Sequence, residues 1–330
     1  MTRRQTVRRI DPGEPGIRRF RAGAGRFRYR HDGGSRIGQS ERERIEKLAI
    51  PPAWTDVWIS GDARGHIQAV GRDEAGRRQY IYHEEWRRRQ DESKFDRALD
   101  LAAALPAARR WVSRDLHGGV FDRDRALAVA FRILDLGAVR IGNEEYLRRY
   151  GSRGVTTMRC RDLAVDGSIV TLEFPSKGGV RWTSSLTDAQ LADYFHEMLG
   201  RRGANARAIA WRDSRWHPIT TAEVNEYVRL RTGVDATAKD FRTLRGTIAA
   251  AESLSRTGPQ QASRAADAAV REAIRSCAEV LGNTPAVAKA SYIDPRIFDL
   301  YRAGTVMSRR GSALTALRAL LEPAAAHTSR

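Results

Sequence analysis

The chain has little cysteine and no long apolar run. Cys160 and Cys277 are its only cysteines, and they lie far apart within 330 residues, with no metal-ligand spacing. This usage argues against a disulfide framework or a cysteine-bound zinc, and it is typical of a protein of the reducing cytoplasm. No apolar stretch approaches the roughly 20 residues that a membrane helix needs. We therefore expect a cytoplasmic protein without a membrane partner.

Lysine is also scarce, although the chain is strongly basic. The net charge is +18 and the isoelectric point is about 10.8. An excess of this size favours a polyanionic partner, above all nucleic acid. Five of the 58 basic residues are lysines, at positions 47, 94, 177, 239 and 289. Arginine stays protonated at neutral pH, whereas the pKa of a lysine can be tuned. Each lysine is therefore a position to inspect for proton transfer.

The first 90 residues predict a small β-rich domain. Four segments alternate or are β-branched and are bounded by turns: RFRYRH (26–31), DVWIS (56–60), HIQAVG (66–71) and QYIYH (79–83). A short helix ended by two prolines is predicted over ERERIEKLAIPPAW (41–54). Residues 1–25 are predicted to form an extended basic arm.

The rest of the chain is predicted to be mainly helical, so the fold class is α+β with domains 1–90 and 91–330. A charged and then Ala-rich interval, 87–110, is expected to join the domains through helix. A buried helix face is predicted from Leu127, Ala130, Phe131 and Leu134, ending at Gly137. Capping boxes are predicted at Thr187 with Gln190, and at Thr220 with Glu223, the latter helix ending at Gly233. The tail, 322–330, is predicted to fray.

Two hairpins interrupt the predicted helices. The segment MRCRDLAV (158–165) is followed by the turn dipeptide Asp166-Gly167 and then by SIVTLEF (168–174). The chain continues as PSKGGVRWTSSL (175–186), which predicts a second hairpin with Lys177 at its tip. Two glycines follow this lysine and allow the backbone to reverse.

Four separate pieces of sequence carry residues of possible chemical interest. They are Arg140 in GAVRIGNEEY, Lys177 in FPSKGG, Arg242 in KDFRTLRGT, and Asn283 with Tyr292 in LGNTPAVAKASYIDP. Taken singly, each has an ordinary structural interpretation: a surface charge, a solubilising turn residue, a helix cap or a core tyrosine. Their order and spacing together are harder to attribute to chance.

These motifs resemble those of the type IB DNA topoisomerases, specifically the compact bacterial branch that is similar to the poxvirus enzymes. The resemblance covers nearly the whole chain and also includes RFRYRHDGG, IPPAW, GRDEAGRRQYIYH and RIGNEEY. It implies a β-rich N-terminal domain and a mainly helical catalytic domain that close as a monomeric C-clamp around duplex DNA. The implied activity is ATP- and metal-independent relaxation of supercoils through a 3′-phosphotyrosyl intermediate, in a nucleoid-associated protein.

The resemblance implies an active site of five residues in this sequence. Tyr292 would be the nucleophile, Lys177 the general acid, and Arg140, Arg242 and Asn283 the groups that hold the phosphate. Poxvirus and eukaryotic members have histidine where this chain has Asn283. An asparagine can donate a neutral hydrogen bond but cannot become cationic.

These residue types suit the chemistry of phosphoryl transfer. A free phenol titrates near pH 10, so the site has to help Tyr292 lose its proton. Arg140 and Arg242 can present planar forks of donors to the phosphate oxygens, which could replace a metal ion. The leaving 5′-oxygen needs a proton, and a lysine on a hairpin tip can supply it. We therefore expect no cofactor and no metal.

Further residues are candidates for DNA contacts. In the N-terminal domain they are Tyr29, Gln68, Gln79, Tyr80 and Tyr82, and in the second domain they are Asn143, Tyr146 and Lys239. Side chains of these types can contact phosphates or base edges. For each of them, core packing or simple surface exposure explains the residue equally well.

Two other functions fit part of this pattern. A tyrosine recombinase shares the chemistry, but its motifs usually read His-x-x-Arg and Leu-Gly-His, where this chain has Lys239-x-x-Arg242 and Leu281-Gly282-Asn283. A non-catalytic basic DNA-binding protein explains the charge but leaves the five matched positions unexplained.

Overall fold

The computed structural model describes residues 7–23, 25–119 and 122–322. The chain divides into two compact units, Met1–Ser93 and Lys94–Arg330. The first unit contains an antiparallel sheet and the second is mainly helical, so the predicted α+β class is confirmed. The start of the predicted basic arm, residues 1–6, and nearly all of the predicted frayed tail lie outside the described residues.

Unit 1 is built on a five-stranded antiparallel sheet with the strand order β2-β1-β3-β4-β5. Its elements are β1 (Ile17–Arg21), β2 (Phe27–His31), α1 (Gln39–Lys47), β3 (Thr55–Ile59), β4 (Ile67–Arg72) and β5 (Arg78–Tyr82). The four predicted strands are confirmed within about a residue at each end. The prediction of an arm over 1–25 was wrong for β1, which pairs with both β2 and β3 because its first residue, Ile17, is fully buried in the core.

The pairing register determines which side chains share a face of this sheet. One row across all five strands is His31, Ile17, Ile59, Ala69 and Ile81, and it faces the core that also contains Ile45 of α1. The neighbouring row points to the opposite face and consists of Arg30, Arg18, Trp58, Val70 and Tyr80. This second face is therefore basic at one edge and aromatic at the other.

A 33-residue helix, α2 (Glu84–Leu116), follows the sheet and confirms the predicted helical interval. Unit 2 adds α3 (Arg123–Gly137), α4 (Glu144–Tyr150), α5 (Ala189–Arg201), α6 (Thr221–Thr232), α7 (Ala238–Thr257), α8 (Ser263–Leu281), α9 (Pro285–Tyr292), α10 (Arg296–Arg302) and α11 (Ala313–Leu321). Its strands are β6 (Leu163–Asp166), β7 (Ile169–Pro175) and β8 (Arg181–Thr187) in one sheet, and β9 (Ala210–Arg212) with β10 (Trp216–Pro218) in another.

Helix α3 lies in the middle of the unit 2 core. The predicted face of Leu127, Ala130, Phe131 and Leu134 is fully buried, and Phe131 packs edge-on against Phe241 of α7. The helix ends at Gly137, as predicted, and the next residue, Ala138, has a left-handed backbone with φ of 50°. This reversal directs the chain into the segment that carries Arg140.

Local details differ from the predictions at two places. The N-cap of α5 is Asp188, whose carboxylate accepts from Leu191 N at 3.0 Å, so the predicted cap at Thr187 was wrong by one residue. The Thr220–Glu223 capping box is confirmed. The first hairpin strand starts only at Leu163, because the preceding three residues form a 3-10 turn. None of the helices in the described part of the chain is long and apolar enough to span a bilayer.

Candidate active site

Arg140 lies on the segment between α3 and α4, and backbone hydrogen bonds from a neighbouring segment hold it in place. Its carbonyl oxygen accepts from Val155 N at 2.9 Å, and Ile141 O accepts from Thr156 N at 2.8 Å. The two segments approach so closely at Gly154 that a Cβ there would lie 2.3 Å from Arg140 O. Only glycine fits at this position without movement of the backbone.

The guanidinium of Arg140 is held by three oxygen atoms. Its Nη1 donates to Ser176 Oγ at 3.2 Å, and its Nη2 donates to Gly282 O at 3.2 Å and to Asn283 Oδ1. Burial and the nearby charge of Arg242 lower the pKa of Arg140 to about 10, against a smaller raising effect of Tyr292. The group remains a cation at neutral pH.

Arg242 lies on the first turns of α7 and is 3% exposed. It donates to Ala138 O and, at 2.9 Å, to Leu281 O. Its guanidinium carbon is 5.0 Å from the ring centroid of Tyr292, and burial lowers its pKa. Its buried Nε has no hydrogen-bond partner among the described residues.

Both guanidinium groups are oriented by neutral acceptors alone within the described chain. The acceptors are a hydroxyl, an amide oxygen and backbone carbonyls at the C-terminal ends of α3 and α8. By contrast, the largely buried Arg153 of the same unit pairs with the carboxylate of Asp162. Because no carboxylate offsets them, the charges of Arg140 and Arg242 are available to an anion.

Tyr292 is the last residue of α9 and is half-buried rather than a core tyrosine. Its carbonyl accepts from Thr247 Oγ1 at 3.2 Å, and a Cβ on Gly246 would lie 2.8 Å from the same oxygen. Burial alone raises the pKa of Tyr292, but the charge of Arg242 and its hydrogen bond to the phenol, together with the charges of Arg140 and Lys239, outweigh burial and lower the pKa below its ordinary value. The site therefore stabilises the phenolate relative to that of a free tyrosine.

Asn283 follows the left-handed C-cap of α8, Gly282, whose φ is 57°. Its backbone N–H donates to Ala278 O at 2.9 Å, which fixes the chain direction into α9. Since Arg140 can only donate, the amide oxygen of Asn283 has to face it. The amide nitrogen, Nδ2, is buried and has no partner among the described residues. It is a donor left over for an acceptor that the described residues do not supply.

Lys177 is exposed in the turn between β7 and β8, as predicted. Gly178 and Gly179 have φ of 77° and 76°, values that favour glycine. The lysine amine makes no hydrogen bond or ion pair within the described ranges. Its turn reaches the site through the preceding residue, Ser176, which touches Arg140.

Lys239 and Ser176 were not predicted as parts of this site. Lys239 was a candidate DNA contact, yet from the first turn of α7 its charge lowers the pKa of Tyr292. Its position three residues before Arg242 on a helix is the signal that could have revealed this. Ser176 carries no such signal, because a serine beside a turn is common.

The predicted DNA contacts of unit 1 separate onto two faces of the sheet. Tyr80 and Tyr82 are each 38% exposed, and their rings stack at 5.8 Å between centroids. Arg78 lies over the ring of Tyr80 at 5.4 Å. Gln79 points to the other face and donates to Asp73 Oδ2 at 2.8 Å.

Two of the predicted contacts have internal roles in the structure. Gln68 is 4% exposed, and its amide donates to Gly65 O at 2.7 Å and accepts from Arg44 at 2.8 Å. It therefore has no free polar atom to offer to DNA. Tyr29 packs against the small core beneath the sheet, on the face opposite Tyr80.

The predicted contacts near Arg140 lie at the start of α4. Asn143 is the N-cap, and its Oδ1 accepts from Glu145 N at 2.7 Å. Tyr146 is exposed, and the centroid of its ring lies 5.9 Å from that of Tyr150. Across the described ranges, no three His, Cys, Asp or Glu side chains gather as a metal-binding group would.

Comparison with known proteins identifies the family. A family model described as "Eukaryotic DNA topoisomerase I, catalytic core" matches residues 83–300, and one described as "Bacterial DNA topoisomerase IB, N-terminal domain" matches residues 26–73. The chain is also similar to DNA topoisomerase 1B of Acanthamoeba polyphaga mimivirus, with 27% identity over 294 residues that cover 87% of this chain and 88% of the relative. The resemblance inferred from the motifs is thus confirmed, and the chain belongs to the type IB family of DNA topoisomerases.

Proposed function

We propose that this DNA topoisomerase relaxes supercoiled duplex DNA without ATP or a metal ion. Tyr292 attacks a backbone phosphorus and becomes joined to the 3′ end of the cut strand, while the 5′-oxygen leaves as a hydroxyl. The free strand rotates about the intact one. The 5′-hydroxyl then attacks the phosphotyrosyl bond, releases the phenol and reseals the strand, so the bond energy is conserved.

One observation carries this proposal: a phenol with a lowered pKa lies beside two guanidinium groups that have only neutral partners. The lowered pKa of Tyr292 increases the fraction of phenolate at neutral pH, which favours nucleophilic attack. Arg140 and Arg242 each retain a full positive charge to place against the phosphate. Fixed cations of this kind stabilise the charge that develops in a phosphoryl-transfer transition state.

We assign the remaining polar groups to particular atoms of the phosphate. The unpartnered Nδ2 of Asn283 and the unpartnered Nε of Arg242 are donors that suit nonbridging oxygens. Lys177, on its exposed and glycine-rich turn, gives the proton that the leaving 5′-oxygen needs. General acids of this kind contribute roughly 10²–10⁴ in rate.

We further propose that the basic face of the unit 1 sheet grips DNA. Arg28 and Arg30 share that face with Phe20, which is 51% exposed, and neither arginine has a carboxylate partner among the described residues. Arg30 stands directly opposite Arg18, but Arg18 pairs with Asp32 Oδ1 at 2.8 Å, so the charges left for an anion on this face are those of Arg28 and Arg30. At the other edge, Tyr80 and Tyr82 offer stacking surfaces.

The two units would then bind the duplex together as a monomeric C-clamp, as the family resemblance implies. Tyr146 and Asn143 are placed close in sequence to Arg140 and are candidates for contacts to the adjacent DNA backbone. Sedimentation of the complex with a short duplex tests the monomer: two protein chains on one site would contradict it.

The decisive experiment is relaxation of a supercoiled plasmid without ATP and with excess EDTA. The wild type is compared with Tyr292→Phe, which retains the ring but lacks the nucleophile. We expect relaxation of both positive and negative supercoils by the wild type alone. With end-labelled DNA, the covalent adduct should carry the 3′ phosphate of the cut strand.

Other results would contradict the proposal in different ways. Relaxation by Tyr292→Phe would show that another residue is the nucleophile. An adduct on the 5′ side would reverse the assigned polarity. No relaxation by either protein, with DNA still bound, would favour a recombinase that needs its partner site or a protein that only binds.

A further inference from the structure

The buried hydroxyl of Ser176 links the turn that carries Lys177 to the arginine pair. Ser176 is 2% exposed, which is unusual for the residue that begins a surface turn. Its Oγ accepts from Arg140 Nη1 at 3.2 Å. The adjacent Lys177 is exposed and has no partner of its own among the described residues. The hydroxyl is therefore a polar connection between the lysine turn and the phosphate-binding groups.

The backbone of Ser176 is fixed as firmly as its side chain. Its N–H donates to Val180 O at 2.7 Å and closes the turn, and its carbonyl accepts from Ser152 Oγ at 3.2 Å. One residue earlier, Pro175 O accepts from Arg153 N at 2.7 Å. The segment that supplies these donors continues directly into Val155, which holds the carbonyl of Arg140.

These hydrogen bonds form a closed set that surrounds Arg140. The side chain of Arg140 is hydrogen-bonded to Ser176, and its backbone carbonyl is hydrogen-bonded to Val155. The stretch from Ser152 to Val155 is therefore bonded both to Arg140 and to Ser176. A closed set of hydrogen bonds resists relative displacement of its members better than any single contact. It thereby fixes the distance between the lysine turn and Arg140.

Arg140 and the turn depend on Ser176 to different degrees. Without the hydroxyl, Arg140 keeps two acceptors, Gly282 O and Asn283 Oδ1. The turn keeps its backbone hydrogen bonds to Val180 and Ser152 but loses its side-chain hydrogen bond to Arg140. Removal of the hydroxyl should therefore loosen the position of Lys177 relative to Arg140 while each of them keeps its other contacts.

We infer that Ser176 is a positioning residue that holds the Lys177 turn in register with Arg140, so that acid and guanidinium act on the same phosphate. This inference rests on the proposed acid role of Lys177. A neutral hydroxyl suits the task, because a carboxylate at this position would neutralise Arg140 and compete with the phosphate.

The test compares two substrates in single-turnover cleavage. One is an ordinary duplex, and the other has a bridging sulfur at the cleavage site, so that the leaving group is a thiol and needs no proton. On the ordinary duplex, we expect Ser176→Ala to cleave about 10- to 150-fold more slowly than the wild type, the range for one hydrogen bond to a charged group. On the sulfur substrate, it should cleave within about threefold of the wild type, because the acid is no longer needed.

A double-mutant cycle provides an independent readout. If Ser176 acts through Lys177, then Ser176→Ala should cost little in a Lys177→Ala background. Ser185→Ala, at an exposed position in β8 of the same hairpin, is the matched control and should behave as the wild type does on both substrates. Ser176→Thr retains the hydroxyl and should recover part of the lost rate.

A second variant covers the case in which Ser176→Ala does not fold. Ser152→Ala removes the donor to Ser176 O without touching Arg140, and it should show the same selective rescue at smaller amplitude. Thermal melting of each variant identifies misfolding before the rates are compared.

The possible outcomes separate the two ideas. If Lys177→Ala is rescued by sulfur but the serine variants are not, or if their defects add to that of Lys177→Ala, the role of Ser176 is refuted and the acid role stands. If Lys177→Ala itself is not rescued, the acid role is refuted and the positioning role with it.

Discussion

Asn283 offers a direct test of whether activity depends on the neutrality of the partners of the two arginines. Its Oδ1 accepts from Arg140, and its Nδ2 is buried without a partner among the described residues. Asn283→Ala removes both atoms. Asn283→Asp keeps the shape and provides a stronger acceptor for Arg140, but it adds a negative charge where the phosphate should bind. If good acceptor geometry were all that mattered, the aspartate would be the milder change.

We expect the opposite order of activity. The loss of one hydrogen bond to a charged group is about 1.5–3 kcal/mol, which corresponds to roughly 10- to 150-fold in cleavage rate for Asn283→Ala. In Asn283→Asp, a carboxylate about 4 Å from the phosphate adds repulsion of up to about 4 kcal/mol at an effective dielectric constant near 20. The aspartate variant should therefore cleave at least about tenfold more slowly than the alanine variant.

The same charge should change the pH dependence. A carboxylate beside the arginines offsets part of the field that lowers the pKa of Tyr292, so this pKa rises. The cleavage rate of Asn283→Asp should then increase up to a higher pH than that of the wild type. Asn283→Ala adds no charge, and its profile should keep the wild-type position.

The stability of Asn283→Asp should change in the opposite direction from its activity. Repulsion by Arg242 is one cause of the lowered pKa of Arg140, and a carboxylate at position 283 would relieve it. Arg140 would hold the pKa of that carboxyl below its ordinary value. The added stability is therefore present at neutral pH and is lost as the pH falls through the lowered pKa.

Two assays decide the matter: single-turnover cleavage across a pH series, and thermal melting at neutral pH. We expect the aspartate variant to melt at a higher temperature than the alanine variant and to cleave more slowly. If Asn283→Asp cleaves as fast as Asn283→Ala or faster, the reasoning from neutral acceptors is refuted. Asn283 would then serve mainly to orient Arg140.

Three further predictions follow from single contacts. Lys239→Gln removes a charge that lowers the pKa of Tyr292, so cleavage should slow several-fold near neutral pH and recover as the pH rises; a uniform loss at all pH values would contradict this. Gly154→Ala forces the backbone away from Arg140 O and should lower the free energy of unfolding by about 1–3 kcal/mol, measured with denaturant, together with the cleavage rate. Replacement of both Arg28 and Arg30 by Gln should reduce the slope of log affinity against log salt by about 0.9 for each lost phosphate contact, and an unchanged slope would exclude them from the DNA-binding surface.

Elements with strong local signals were predictable from the sequence. The buried face of α3 shows the helical period in four residues, and the glycines after Lys177 predict its turn. Strand β1 was missed because its one buried residue, Ile17, stands among arginines. Its place between β2 and β3 depends on pairing with distant segments, which local composition does not report.

The predicted DNA contacts also show that local sequence does not report the packing of distant segments. Tyr29 and Tyr80 both lie in alternating strands, and alternation alone does not say which face a helix will cover. The register places Tyr29 on the face that packs against α1 and Tyr80 on the opposite face. Gln68 is similar, because its partners, Arg44 and the loop carbonyls near Gly65, come together only in the folded sheet.

The active-site arginines owe their placement to atoms that have no signature in the sequence. A helix leaves its last carbonyls without internal partners, and cationic side chains can satisfy them. Arg242 donates to the carbonyl of Ala138 at the end of α3 and to that of Leu281 at the end of α8, and Arg140 donates to the carbonyl of Gly282. The negative ends of two helix dipoles thus stabilise two buried cations. Because partial charges of this kind orient the guanidinium groups without neutralising them, both cations remain available to the Tyr292 phenolate and to a phosphate.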